Sequence, residues 1–200
     1  EILQDEASIV ELRSNIRIKS LFLMKKKLNT DKLNKLNNNS KIKYLNKISI
    51  KPKISSEVIK KIRFADIIIY SPGTQHSSLL PTYMSNKFDK LITSSDAKKI
   101  FVTNIGADYE TPNYKASEYI LNAYKYINHD KNYKLQSFFE YNLINENNNK
   151  SKKKYVNIDY ENLKKIKTNN IFKDFERIPY KGIHSGKKIL DEVLNIYFNC

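Results

Sequence analysis

"ADIIIYSPGTQHSSLLP", residues 65–81, joins a β-branched run to a small, hydroxyl-rich loop, and the reading of that junction decides the fold. A short continuous apolar run such as Asp66–Tyr70 is the pattern of a strand buried on both faces of a parallel sheet. In the loop, Gly73 stands where backbone can approach a ligand closely. Thr74, Ser77 and Ser78 add hydroxyls and backbone N–H groups of the kind that meet phosphate oxygens. The same residues also suit plain turn chemistry, since Pro-Gly is a common turn pair and Ser-Ser before Leu-Leu is an N-cap pattern. Position favours the ligand, because open parallel sheets bind ligands beyond the carboxyl ends of their strands.

Working outward, "SSEVIKKIRFAD" before the strand reads as a helix capped by Ser55 or Ser56, with Val58, Ile59 and Ile62 on its apolar face. After the loop come helical segments within Ser78–Asp96, the strand "IFVTNI" at 100–105 and the polar loop "GADYETPN". An amphipathic helix follows, with Ala116, Tyr119, Ile120, Ala123, Tyr124 and Ile127 at three- and four-residue spacing, and then "LQSFFEYNLI", 135–144, as the next strand. This alternation predicts an α/β fold, a Rossmann-like parallel sheet with flanking helices built from right-handed βαβ units.

The Rossmann-like portion is expected over 1–144. It includes a strand at 16–24, "IRIKSLFLM", and a Lys/Asn-rich insertion at 25–50, in which Asn37–Asn39 act as a breaker before a short strand at Ile42–Leu45. Residues 145–154, "NENNNKSKKK", read as a solvated linker. Residues 155–200 read as a helical extension on the same domain, with a short helix near Leu163 and Ile166. A final helix is expected from Ser185, burying Ile189, Leu190, Val193, Leu194 and Tyr197.

The second strand-end loop holds Thr103, Asn104, Asp108, Glu110 and Thr111. Asn104 suits a base, sugar or carboxamide, and Asp108 and Glu110 are oxygen donors of the type that hold Mg²⁺ on a diphosphate. His76 is the best-placed histidine for proton transfer or a ligand hydrogen bond; as an exposed loop residue it would have no such role. "GIHSGKK", 182–188, falls short of a P-loop in glycine spacing and lacks Ser or Thr after its lysine. It reads as a helix start capped by Ser185, with an anion contact open to Lys187.

The net charge of +15 raises nucleic acid as a partner, but the excess is lysine spread along the chain, with many Asn, Ile and Tyr. A genome rich in A/T codons accounts for that composition, and Arg, the better base reader, is scarce, so nucleic acid is the unlikely partner. Cys200, the single cysteine, allows neither a disulfide framework nor a cysteine zinc cluster, so a cytoplasmic setting is expected. No apolar stretch reaches the roughly 20 residues of a membrane span. Assembly into a homo-oligomer is left open.

The block "EVIKKIRFADIIIYSPGTQHSSLLP", followed by "SDAKKIFVTNIGADYET" and an amphipathic helix, resembles the 2-phospho-L-lactate transferase (CofD) family, which includes the YvcK-type gluconeogenesis factors. The resemblance runs from about Ser56 to Ile127. It implies a Rossmann-like fold that binds a nucleoside diphosphate or nucleotide sugar through Gly73, Thr74, Ser77, Ser78, Asn104 and Thr111. In the transferase branch, it implies Mg²⁺ and transfer of a phosphate-containing group; the alternative is a non-catalytic nucleotide-sugar-binding regulator. Ser71 replaces the first glycine of the family's loop, and the stretch from Asn104 to Thr111 is one residue shorter. The family's amino-terminal Gly-rich loop and its neighbouring acids have no counterpart, so the chain is expected to be a carboxyl-terminal portion carrying half the site.

Overall fold

The β-branched residues Ile67–Ile69 and the apolar "KKIFV" form the first two strands of a parallel sheet, as side chains too crowded at Cβ for easy helix packing are expected to do. The computed structural model describes residues 2–11, 15–129, 131–146 and 155–199. In chain order its elements are helices α1 (Glu6–Val10), α2 (Thr30–Asn34), α3 (Asn38–Ile48) and α4 (Ser56–Arg63), then strand β1 (Ile67–Tyr70). A π-helical turn, Gln75–Leu79, runs into α5 (Leu80–Tyr83), followed by α6 (Phe88–Thr93), β2 (Lys98–Val102) and α7 (Ala116–Ile127). After a 3-10 turn, Leu135–Ser137, come β3 (Tyr141–Asn145), α8 (Tyr160–Lys165), β4 (Asn169–Lys173) and α9 (Gly186–Asn199).

The four strands pair in the order β1-β2-β3-β4, all parallel, so the fold is α/β as expected. One face of the sheet carries the larger core. Tyr70, Phe101 and Ile144 on the strands meet Leu80, Tyr119, Ile120, Ala123 and Ile127 from α5 and α7, and Leu163 from α8, while Ile62 of α4 packs at the margin. On the other face Ile100, Val102 and Leu143 pack against Val193 and Ile196 of α9, with Ile67 and Ile189 beside them.

Six expectations are corrected. The strands expected over 100–105 and 135–144 run instead over Lys98–Val102 and Tyr141–Asn145, with Leu135–Ser137 in a 3-10 turn. Residues 16–24 form no strand; they cross the back of α7, where Leu21 N donates to the Tyr126 hydroxyl at 2.9 Å and Lys125 Nζ to Lys19 O at 3.1 Å, and Leu23 O accepts the Ile50 N–H at 2.8 Å. Residues 42–45 lie inside α3, and Asn37 does not break that helix but caps it, accepting the N–H of Ser40 at 2.9 Å. β1 is not buried on both faces: it is the sheet edge, and Ile69 is 43% exposed. The 155–200 portion is not purely helical, since Asn169–Lys173 pair with β3 as a fourth strand. In α9 the buried stripe is Val193 and Ile196, while Leu190, Leu194 and Tyr197 are 54%, 41% and 39% exposed. Of the expected linker, residues 147–154 lie outside the described residues, and Asn145 ends β3.

The faces of α7 give a direct check. Ile120→Ala, at a fully buried position, is expected to lower unfolding free energy by about 2–5 kcal/mol, through lost transfer energy and the cavity left behind. Leu121→Ala, one residue on and half exposed, is expected to change it by less than about 0.5 kcal/mol. Urea titration of the two variants compares them, and equal losses would contradict this placement of the helix.

Candidate functional site

Parallel pairing sets Tyr70 opposite Phe101, so the chain leaves β1 and β2 side by side and the two loops emerge at one edge of the sheet. Three residues past that pair, Gly73 meets Asn104. The Gly73 N–H donates to Asn104 Oδ1 at 3.0 Å, and Asn104 Nδ2 donates back to the Gly73 carbonyl at 3.0 Å and to Asp108 Oδ2 at 3.3 Å. Asp108 Oδ1 accepts the N–H groups of Glu110 and Thr111 at 2.8 and 3.0 Å, which folds the loop back on itself. Glu110 Oε2 then accepts the N–H groups of His76 and Ser77 at 2.9 and 3.1 Å. Gly73, Asn104, Asp108, Glu110 and the π-helical turn form a closed ring of hydrogen bonds joining the two loops.

Helix α7 fixes that ring from below. Thr111 is fully buried, and its hydroxyl shares a 2.6 Å hydrogen bond with the Tyr119 hydroxyl, whose pKa burial pushes well up. Gln75 donates to the Tyr119 carbonyl at 2.9 Å and accepts from Asn122 at 2.8 Å. Tying both loops to one rigid helix gives them a defined separation.

Outside the ring, Thr74, Ser77 and Ser78 converge. Thr74 Oγ1 lies 2.9 Å from Ser78 Oγ, Ser77 Oγ donates to Thr74 Oγ1 at 3.0 Å, and the two serine hydroxyls are 3.4 Å apart. Ser78 is exposed, with Thr74 and Ser77 half-buried, so the trio faces the outside of the loop. Nothing in the local backbone explains Gly73: its φ is not left-handed, and an added Cβ would meet only the Leu79 side chain, at 3.8 Å.

The other candidates sit deeper than the sequence suggests. His76 is only 1% exposed; neither ring nitrogen has a hydrogen-bond partner among the described residues, and Tyr114 meets the ring edge-on at 6.5 Å. Burial, with repulsion from Lys125, lowers its pKa to about 4, so the ring is neutral at pH 7. The carboxylates expected to hold Mg²⁺ face amides. Both oxygens of Asp108 and one of Glu110 accept N–H groups, while the remaining Glu110 oxygen is buried without a partner. Among the described residues no group of three His, Cys, Asp or Glu side chains is placed to hold a metal ion. Mg²⁺ on a diphosphate is commonly held by one or two carboxylates together with phosphate oxygens and water, and here three of the four oxygens of Asp108 and Glu110 would first have to leave their amides.

A third wall was missed by sequence reasoning. The connection from β4 to α9 returns to the same edge, where His184 Nε2 lies 2.9 Å from the Thr103 carbonyl oxygen and the Glu176 carboxylate accepts the Gly182 N–H. Gly182 has φ 78°, and a Cβ there would sit 3.5 Å from Gly106 Cα in the second loop. Ser185 caps α9 as expected, taking the Lys188 N–H at 3.4 Å. The order strand, loop and Ser-Gly-Lys-Lys helix start carried the signal, but the preceding strand begins with two asparagines and was not recognised.

Known proteins resemble this chain. The 2-phospho-L-lactate transferase CofD family model matches residues 4–176. The putative gluconeogenesis factor of Thermotoga maritima is 30% identical over 109 residues, 54% of this chain and 35% of that protein. That of Aquifex aeolicus is 36% identical over 70 residues, 34% of this chain and 21% of its own. The gluconeogenesis factor of Listeria innocua is 27% identical over 107 residues, 52% of this chain and 31% of its own. The chain thus spans about a third or less of the length of these relatives. A crystal structure of a UPF0052-family member from Bacillus halodurans shares the fold, with a TM-score of 0.62 at 22% identity over 71% of this chain and 46% of that one. With the family model covering most of its residues, the chain belongs to the 2-phospho-L-lactate transferase CofD family.

Proposed function

We propose that the carboxyl edge of this sheet binds the phosphate side of a nucleoside diphosphate conjugate. The observation that carries this reading is the hydroxyl trio of Thr74, Ser77 and Ser78, the last of them exposed, bonded to one another and held at the end of β1 by the ring of hydrogen bonds between the two loops. Hydroxyls so placed can turn their protons toward phosphate oxygens with no rearrangement of the backbone. Gly73, which the fold itself does not require, fits as a point of close ligand approach.

Between sensing and group transfer, sensing is the better supported. The curated relatives are named gluconeogenesis factors, and His76, the candidate for proton transfer, is buried and neutral. Transfer is kept as the second reading by the description of the family whose model matches. In that reading the residues present act by positioning the diphosphate, not by attacking it.

Calorimetry with GDP and with UDP-sugars tests the binding. The double variant Ser77→Ala/Ser78→Ala is expected to weaken affinity tenfold to about a hundredfold, from the loss of two charge-assisted hydrogen bonds. Gly73→Val is expected to weaken it too, and Gly73→Ala to leave the melting temperature within about 2 °C of the parent. Unchanged affinity in both the double variant and Gly73→Val would overturn the reading.

The burial of His76 is checked by pH. The unfolded chain takes up a proton below about 6.5, and the folded one waits until about 4, so stability falls as pH drops through that window and levels off below it. The gap corresponds to about 3 kcal/mol, and His76→Leu is expected to remove most of the slope in urea-unfolding free energy between pH 6.5 and 4. His184, also held low by burial, and the carboxyls of Asp159 and Asp174, held low by their hydrogen bonds, contribute to the remainder. An accessible His76, poised for proton transfer, would leave the slope unchanged in the variant.

A further inference from the structure

The amino edge of the sheet breaks the pattern of its own core. On the face covered by α7 and α8, β3 and β4 pair Ile144 with Phe172, both packed into the larger core. Two residues earlier the register pairs Asn142 with Asn170 on the same face. A strand covered by helices calls for apolar residues there, and Asn142 is 0% exposed. Its Nδ2 donates to Thr168 Oγ1 at 2.6 Å and to Asn170 Oδ1 at 2.8 Å, while its Oδ1 is buried with no partner among the described residues. Asn170 Nδ2 donates onward to the Leu163 carbonyl at 3.1 Å. The Thr168 hydroxyl, already an acceptor for Asn142, has only Asn170 Oδ1, at 3.5 Å, for its own proton among the described residues. Packing does not explain this choice, since an apolar pair at the same positions leaves no orphaned oxygen.

These side chains border a cavity of about 420 Å³, where β3 and β4 begin. Thr168 and Asn170 line its strand side, Lys164 and Lys167 come from the end of α8 and the turn after it, and Gln136 and Glu140 from the segment leading into β3. Its size lies in the range of small-molecule sites. Glu140 is held from behind by a buried cation. Lys99, 5% exposed, donates from Nζ to Glu140 Oε1 at 3.3 Å and to the Ser95 and Ala97 carbonyls at 2.8 and 3.0 Å, leaving Glu140 Oε2 to accept elsewhere. Lys164 makes only an exposed pair with Glu161 at 3.3 Å among the described residues, a contact that costs little to leave.

We propose that this cavity binds a small phosphate monoester carrying hydroxyl groups, a sugar monophosphate in chemical class. Two lysines match the charge of a monoester, about −2 at pH 7, and the Thr168 hydroxyl adds a donor for a phosphate oxygen. A lone carboxylate leaves one lysine unmatched. Glu140 repels phosphate but accepts hydroxyl protons, and the Gln136 amide both donates and accepts, so their side of the cavity suits the sugar. The site lies at the opposite ends of the strands from the hydroxyl trio and shares no residue with it, which makes it a second site and not an extension of the first.

Titration of the full chain with glucose 6-phosphate, followed by calorimetry and by backbone amide shifts in NMR, tests this. Saturable binding is expected, with shifts concentrated in residues 136–142 and 164–170. Inorganic phosphate and glucose should each bind at least about tenfold more weakly than the ester, and Lys164→Gln/Lys167→Gln should weaken the ester at least about tenfold. Asn142→Leu should weaken it as well; if that variant does not fold, the lysine double variant, both of whose positions are exposed, still decides. No saturable binding, an affinity indifferent to the lysine change, phosphate binding as tightly as the ester, or shifts gathered at residues 73–78 would each overturn the proposal. No nucleotide is present, so the outcome stands apart from the ligand reading at the carboxyl edge.

Discussion

The parallel register of β1 and β2 is the constraint on which the rest of the carboxyl edge depends. Because Tyr70 stands opposite Phe101, equal steps along the two chains bring Gly73 and Asn104 together. The Asn104 side chain then does what a third strand would do, exchanging two hydrogen bonds with the Gly73 backbone. A slip of one residue would turn every side chain of β1 to the other face, placing Tyr70 outside the aromatic cluster it makes with Tyr83, Phe101 and Phe139. Register is thus held from the core, and the loops inherit it.

Much of this was legible because hydrophobic pattern is local. The β-branched run of β1, the compact "IFV" of β2 and the stripe of α7 each announce an element without reference to neighbours, and their order gives the parallel sheet. What was misread depended on partners. The alternation at 16–24 looked like a strand and has no strand beside it among the described residues, whereas Asn169–Lys173 begins with two polar residues and is a strand because β3 offers an edge. Asn37 looked like a breaker because asparagine is a poor interior helix residue, yet the same side chain is a good cap one position earlier. In α9 the apolar surface is wider than the face the sheet covers, so sequence pattern alone overcounted its buried residues.

The candidate site was legible as a list of donors, and less so as an arrangement. Gly73, Thr74, Ser77, Ser78, Asn104, Asp108, Glu110 and Thr111 do come to one edge, but two of them face inward. Thr111 bonds to Tyr119 in the core, and Glu110 is 2% exposed. Spacing along a loop cannot distinguish a carboxylate that looks out from one that folds back onto backbone N–H groups, because both leave the same sequence.

That inward turn of Glu110 narrows what the first loop can offer. The backbone N–H groups of His76 and Ser77 were the natural anion contacts, and both go to one Glu110 oxygen. An anionic ligand arriving at the edge therefore meets hydroxyls, not an open pair of amides, and the negative charge of Glu110 lies directly behind them. In the proposed reading, binding there would rest on charge-assisted bonds from Thr74, Ser77 and Ser78 and on cations from other walls of the crevice, since the amide pair is already satisfied. The β4–α9 connection, with Lys181 exposed on it, Lys187 exposed in the first turn of α9 and His184 hydrogen-bonded to the carbonyl of Thr103 just past β2, stands at the same edge. For the proposed anionic ligand, the first loop would give direction through its hydroxyls, and the compensating charge would come from elsewhere around the rim.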